Sequence, residues 1–134
     1  MAQEAEAYGD AIVEALRRPS VLVAPHLLVL LGERADHGYA LAHRLADLGF
    51  PGAAKSVYRE LRRMEDAGLL RSAWIPAQTQ GPARRVYELT DRGREVLAAC
   101  RNAARQLEHT LGDFSSRFRS IVDGPPTSAG TSDA

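Results

Sequence analysis

The chain is poor in the residues and patterns that mark enzymes, secreted proteins and membrane proteins. It has a single cysteine in 134 residues, Cys100, so no intrachain disulfide can form and a cysteine-rich metal site is excluded. Its four histidines, His26, His37, His43 and His109, show no metal-ligand spacing with Cys100 or with one another. No nucleophile motif and no glycine-rich phosphate loop is present, so no catalytic residue, metal or cofactor is assigned and an enzyme is not expected. The longest apolar run, residues 27–31, is far shorter than the roughly 20 residues a membrane-spanning helix needs. The first charges are Glu4, Glu6 and Asp10, unlike the basic start of a secretory leader, and a reducing, cytoplasmic location without membrane attachment is expected.

An excess of charge of either sign is also missing, because 17 Lys and Arg balance 17 Asp and Glu. The balance hides a polarity. Between residues 55 and 94 there are nine basic and five acidic side chains, a local charge of +4, and the rest of the chain carries −4. A neutral protein divided in this way can still present one positive face to a polyanion. Hydrophobic residues make up 45% of the chain, enough to build one core, and the length is too small for two independent ones.

Periodicity places the elements. Tyr8, Ile12 and Leu16, four apart with Ala5, Ala11 and Ala15 beside them, predict an amphipathic helix over residues 4–18 that Pro19 ends. Pro25 suits a first helical position, and residues 26–33 read as a nearly all-apolar buried helix. Asp36 is the expected cap of a third helix over residues 37–48, with Leu41, Leu45 and Leu48 on one face and Gly49 as its stop. After Phe50-Pro51-Gly52, a fourth helix is predicted over residues 53–67, with Val57, Leu61 and Met64 at core spacing.

Residues 69–75 and 84–89 read as two strands joined by the polar loop 76–82, a hairpin whose imperfect alternation leaves its register open. Thr90 can cap a long last helix reaching about residue 122. Along it Leu97, Cys100, Ala104, Leu107, Leu111, Phe114, Phe118 and Ile121 alternate spacings of three and four, a seam with a 3.5-residue period suited to a partner helix. The tail is rich in Pro, Gly, Ser and Thr and is expected to be disordered.

This order predicts a mainly α (α+β) fold, a winged helix-turn-helix with an added N-terminal helix and a long C-terminal dimerisation helix. The expected division is residues 1–19 for the N-terminal helix, 20–90 for the DNA-binding domain, 91–122 for the dimerisation helix and 123–134 for the tail. At 100° per residue, Lys55, Arg59 and Arg62 lie opposite the apolar stripe of the recognition helix, flanked by Ser56, Tyr58 and Arg63. Long cationic side chains there would supply the donors that bases and phosphates require, although a solvated helix face looks the same in isolation. Arg84 and Arg85, just past the hairpin tip, form a second basic element at the place where a wing meets the sugar-phosphate backbone, or else edge charges that keep a strand soluble.

The stretch from about residue 26 to 97 resembles the PadR family of transcriptional regulators. The likeness lies in Asp36-His37-Gly38-Tyr39, in Val57-Tyr58-Arg59-Glu60-Leu61-Arg62-Arg63-Met64-Glu65 followed by Ala67-Gly68-Leu69-Leu70-Arg71-Ser72, and in Gly81-Pro82-Ala83-Arg84-Arg85-Val86-Tyr87-Glu88-Leu89-Thr90. The resemblance implies a winged-helix DNA-binding domain, a dimerisation helix and a repressor role, in the smaller type with one long C-terminal helix. It places Tyr39, Tyr58 and Arg62 at DNA-contacting positions and Arg84 and Arg85 in the wing. Two departures stand out. Ala53-Ala54-Lys55-Ser56 replaces the usual Ser-Pro-Gly-Thr, which puts Lys55 in place of a glycine near the groove, and the only tryptophan, Trp74, lies in a strand and not on the last helix where some relatives stack flat drugs.

The expected function is therefore sequence-specific binding of double-stranded DNA by a homodimer on a palindromic operator, acting as a repressor. Lys55, Ser56, Arg59 and Arg62 are expected at base edges or adjacent phosphates, with Tyr39, Tyr58, Arg84 and Arg85 on the backbone. A small-molecule effector would find room around Ala11, Ala15, Leu97, Cys100 and Ala104, where the competing reading is a tightly packed dimer core. The competing function is a winged-helix protein-interaction module that does not bind DNA.

Overall fold

A computed structural model describes residues 1–50, 54–77 and 81–124 of the chain. The expected disorder of the tail from residue 125, the tip of the hairpin loop at residues 78–80 and the turn at residues 51–53 lie outside the described residues.

Pro19 divides the N-terminal helical stretch in two. α1 (Ala2–Arg17) ends before it, a 3-10 turn spans Ser20–Leu22, and α2 (Val23–Glu33) follows. Taken together, Ala2–Glu33 reaches a mean hydropathy of 1.2 over its most apolar window, but Arg17, Arg18 and Pro19 interrupt it. Of the apolar residues of α2, Val23, Leu27, Leu28, Leu30 and Leu31 are buried inside the protein, while Val29 is exposed. Pro25 is the third residue of α2 and not the first, a place where its missing N–H still costs no intrahelical bond.

The start of α3 (Gly38–Asp47) corrects the expected cap. His37, and not Asp36, is the N-cap residue, and its Nδ1 faces the Ala40 N–H at 3.3 Å. Asp36 accepts the His37 N–H at 2.9 Å, and its other oxygen accepts from Arg44 at 3.3 Å. The cause is a strand that the periodicity does not show. Extended backbone at Asp36–His37 forms β1, which pairs antiparallel with β3 (Arg84–Leu89) through Asp36 opposite Tyr87 and His37 opposite Val86. Because those two residues are committed to a sheet edge, the helix can begin only after them.

α4 (Ala54–Asp66) leads into β2 (Leu70–Ile75), which pairs with β3 from Leu70 opposite Leu89 to Ile75 opposite Arg84. The three strands lie in the order β1-β3-β2, all antiparallel. Leu27, Leu41, Leu45, Val57, Leu61 and Leu89 are fully buried, so α2, α3, α4 and β3 share one aliphatic core. Each such side chain contributes about 2 kcal/mol by leaving water. The apolar spacing of α3 and α4 follows from this, since only residues three or four apart reach a common face.

α5 (Asp91–Val122) starts at Thr90, as expected. Thr90 Oγ1 accepts from the Gly93 N–H at 3.1 Å and donates to the Gly68 carbonyl at 2.6 Å, so one hydroxyl caps the helix and ties it to the turn before β2. Thr90→Ala should therefore cost about 1–2 kcal/mol in a urea melt while Thr90→Ser retains most of it, and equal midpoints for wild type and the alanine variant would remove the cap from the account. The chain forms two compact units, Met1–Ala98 with the core, and a second from Ala99 onward that carries the rest of α5.

Candidate nucleic-acid interface

α4 owes its shape to a simple partition. It contains no proline or glycine, and Val57, Leu61 and Met64 turn inward, which leaves Lys55, Ser56, Tyr58, Arg59, Arg62 and Arg63 exposed. The exposed cations differ in their partners. Arg63 lies 3.2 Å from Glu60 one turn back. Among the described residues, no carboxylate lies within ion-pair distance of Lys55, Arg59 or Arg62, so these three present uncompensated charge along one side of the helix.

Tyr58 leans on the start of α3. A Cβ built on Gly38 would run into the Tyr58 ring, so glycine is what allows the phenol to lie across the junction of the two helices. Tyr58 remains 46% exposed, and Tyr39, one residue after Gly38, is 65% exposed with its ring against His43 at 4.5 Å. Both expected tyrosines are thus accessible and held by packing.

The two wing arginines separate. As neighbours on β3 they point to opposite faces of the sheet, so they do not form the single patch expected for them. Arg84 Nη1 lies 2.8 Å from His37 Nε2. A guanidinium can only donate, and a neutral imidazole has one free lone pair, so this bond and the Ala40 cap compete for the His37 ring. Arg85 turns toward α4, where Nη1 donates to Ser72 Oγ at 3.1 Å and lies 3.5 Å from Glu65 Oε1. Its guanidinium carbon sits 5.4 Å from the centre of the Trp74 ring. Ser72 Oγ in turn donates to Glu65 at 2.6 Å.

Glu65, Ser72, Trp74 and Tyr87 are the site residues that periodicity missed. They meet Arg85 only because β2 and β3 pair in one register, with Ser72 opposite Tyr87 and Trp74 opposite Arg85. Tyr58, Arg62, Glu65, Arg85 and Tyr87 line a cleft of about 290 Å³. Burial raises the Tyr87 phenol above its ordinary value, against the pull of Arg85, so Tyr87 keeps its proton at neutral pH and can donate.

The remaining expected residues lie elsewhere. Leu97 packs on α2, where a Cβ on Gly32 would stand 2.8 Å from its Cδ2, so the first position of the seam serves the core of its own unit. Cys100 is half-buried and Ala104 exposed. Leu107, Leu111, Phe114, Phe118 and Ile121 are between 39% and 82% exposed, with the Phe114 and Phe118 rings edge to face at 4.7 Å. Ala11 and Ala15 are exposed and belong with Leu97 to the unit Met1–Ala98, while Cys100 and Ala104 belong to the other.

Known proteins share this arrangement. Residues 27–99 match the model of the transcriptional regulator PadR-like family. The chain is similar to transcriptional regulator Rv3488 of Mycobacterium tuberculosis, with 32% identity over 96 residues, 66% of this chain and 88% of that one. Among solved structures it is similar to a PadR family transcriptional regulator from Eggerthella lenta, at a TM-score of 0.63 and 29% identity over 84% of this chain and 96% of the other. A PadR-like transcriptional regulator from Bacillus cereus superposes at a TM-score of 0.64 with 25% identity, over 71% of this chain and 92% of that one. With its helices, its three-stranded sheet and more than half its length matched, the chain belongs to the PadR-like family of transcriptional regulators, a family of regulators and not of enzymes.

Proposed function

We propose that the protein binds double-stranded DNA in the cytoplasm as a homodimer, reads a two-fold related operator with α4, and represses transcription by occupying a promoter. The observation that carries this reading is the uncompensated side of α4, where Lys55, Arg59 and Arg62 stand exposed and, among the described residues, without a carboxylate partner. A solubilising surface would intersperse charges of both signs, as Arg63 and Glu60 do. Exposed cations on a helix that also presents Ser56 and Tyr58 suit a major groove, in which such side chains reach base edges and the adjoining phosphates. Two α4 helices related by a two-fold axis would enter successive grooves about 34–36 Å apart, which makes the operator palindromic. In this reading a small-molecule effector releases the DNA.

Arg59→Ala and Arg62→Ala should leave the thermal melt unchanged and weaken binding to a selected duplex by about 1–3 kcal/mol for each side chain that contacts a base. A titration in which both variants bind as tightly as the wild type would take α4 out of the interface and favour a protein-interaction module.

A further inference from the structure

The outer stripe of α4 is only one of its two polar sides. At 100° per residue, Lys55 and Arg59 point directly away from the buried Val57, Tyr58 and Glu65 lie on the flank between the outer stripe and the core, and Arg62 stands at the border of the two, on the outer side of the helix and at the rim of the cleft. That flank forms one wall of the cleft, and Arg85 and Tyr87 of β3 form the other.

The donors in the cleft are arranged before any ligand arrives. Arg85 is held by Ser72 and Glu65 through Nη1 and by the face of Trp74, and it stands beside the Tyr87 hydroxyl, so a fixed guanidinium with five N–H groups keeps donors to spare. Arg62, on the opposite wall, has no carboxylate within ion-pair distance among the described residues. The Tyr87 hydroxyl is a protonated donor, and Tyr58 offers a second phenol. Two guanidinium groups and two phenols around one opening match an oxyanion with several acceptor oxygens, and phosphate is the oxyanion to which arginine forks are best suited. Among the described residues that line the cleft, Glu65 is the one group that repels such a ligand.

Resting on the DNA-binding reading above, we propose that this cleft seats one backbone phosphate of the bound duplex, with Arg62 and Arg85 supplying the charge and Tyr58 and Tyr87 further donors, and that Glu65 limits affinity by competing for Arg85. The placement accounts for the source of the phosphate. When the outer stripe of a helix faces the floor of a major groove, its flanks face the strands that border the groove. Arg85 then exchanges the Glu65 carboxylate for the phosphate as the complex forms, and it does so at the same time as the neighbouring stripe meets the bases. The wing contributes to binding through a residue that is held against α4 in the free protein, although exposed.

The test uses the full chain and a duplex selected from a random-sequence pool by the wild-type protein. Glu65→Gln, which keeps an acceptor for Ser72, should tighten binding by about threefold or more at low salt, and Tyr87→Phe should weaken it by roughly threefold to tenfold with an unchanged melt. Arg85→Ala should flatten the log-log salt dependence by about 0.9. Duplexes carrying one neutral methylphosphonate at each position in turn should reveal a phosphate whose replacement weakens the wild type but not Arg85→Ala. If the wild type retains duplex but no such position exists, the cleft proposal is overturned and the DNA-binding reading stands. If no duplex is retained at all, both fall. Inorganic phosphate, compared with chloride at equal ionic strength, should neither shift the tyrosine ring resonances saturably nor displace the duplex beyond the salt effect. Saturable shifts with displacement would show that the seat belongs to a free anion, which overturns the assignment to DNA.

Discussion

A chain carrying Leu107→Glu and Leu111→Glu is expected to run as a monomer and to lose its affinity for duplex DNA in the same step. Both leucines are exposed on the second half of α5, at 39% and 46%, and with Phe114, Phe118 and Ile121 they form an apolar stripe that the single chain leaves in water. A stripe of that length facing water is stabilised by covering it, and a second copy is the simplest cover for a seam with a 3.5-residue period. In the double variant a two-fold pair of seams would contain four unpaired carboxylates, a penalty on the order of 5 kcal/mol or more. Neither leucine belongs to the core residues of the unit Met1–Ala98, so the circular dichroism and the melt of that unit should persist. Light scattering and a duplex titration on the same samples decide the matter. A wild-type protein that is monomeric at micromolar concentration, or a glutamate variant that stays a tight-binding dimer, would sink the role assigned to this helix.

Gly93→Ala should be the most damaging glycine-to-alanine change among the described residues. Gly93 is the one buried residue of α5, and a Cβ there would press into the carbonyl oxygen of Leu69 and come within 3.1 Å of Leu89 Cδ2. That carbonyl cannot easily retreat, because it accepts the Thr90 N–H at 3.0 Å while the Leu69 N–H is itself bonded to Met64 at 2.9 Å. Relief therefore requires α5 to tilt off the turn and loosen the Thr90 cap. The expected cost is about 2–3 kcal/mol, or roughly 10 °C in the melting temperature. Gly112→Ala provides the contrast, since nothing lies within 4 Å of its built Cβ. It should be neutral or stabilise the helix by about 0.5–1 kcal/mol through backbone entropy. Equal melting temperatures for Gly93→Ala and the wild type would mean that the close approach to Leu69 has no energetic weight.

How much of this was legible beforehand depends on the range of the interaction concerned. The stripe of Val57, Leu61 and Met64 could be read directly, because helical periodicity is a property of neighbours three and four apart and those residues are indeed the buried ones. The cap of α3 was misread because its position is decided by a strand far downstream. Asp36 is a better cap by residue type than His37, and only the pairing of residues 36 and 37 with Tyr87 and Val86 removes it from that role. For Arg84 and Arg85 the signal was present in the alternation of a strand, but the imperfect apolar pattern left its register open. The register in the structure sends one arginine to His37 and the other to Glu65 and Ser72.

By itself, then, the amino-acid order determined the series of α-helices and the β2–β3 hairpin, the basic outer side of α4 and the apolar seam of α5, since each of these is written in spacings along one segment, whereas β1 is not. Tertiary structure alone decided which charges are free and which are held. Arg59 and Arg71 are both exposed cations along the chain, yet one is unpaired among the described residues and the other is bound to Glu88 on the neighbouring strand at 2.6 Å. Arg85 reads as an outward wing cation, yet the packing of β3 beside α4 gives it a carboxylate, a hydroxyl and an indole face as neighbours. The physical reason is that helical and strand periods follow from backbone geometry within a few residues, whereas an ion pair depends on a few ångströms in space between atoms that distant parts of the chain bring together.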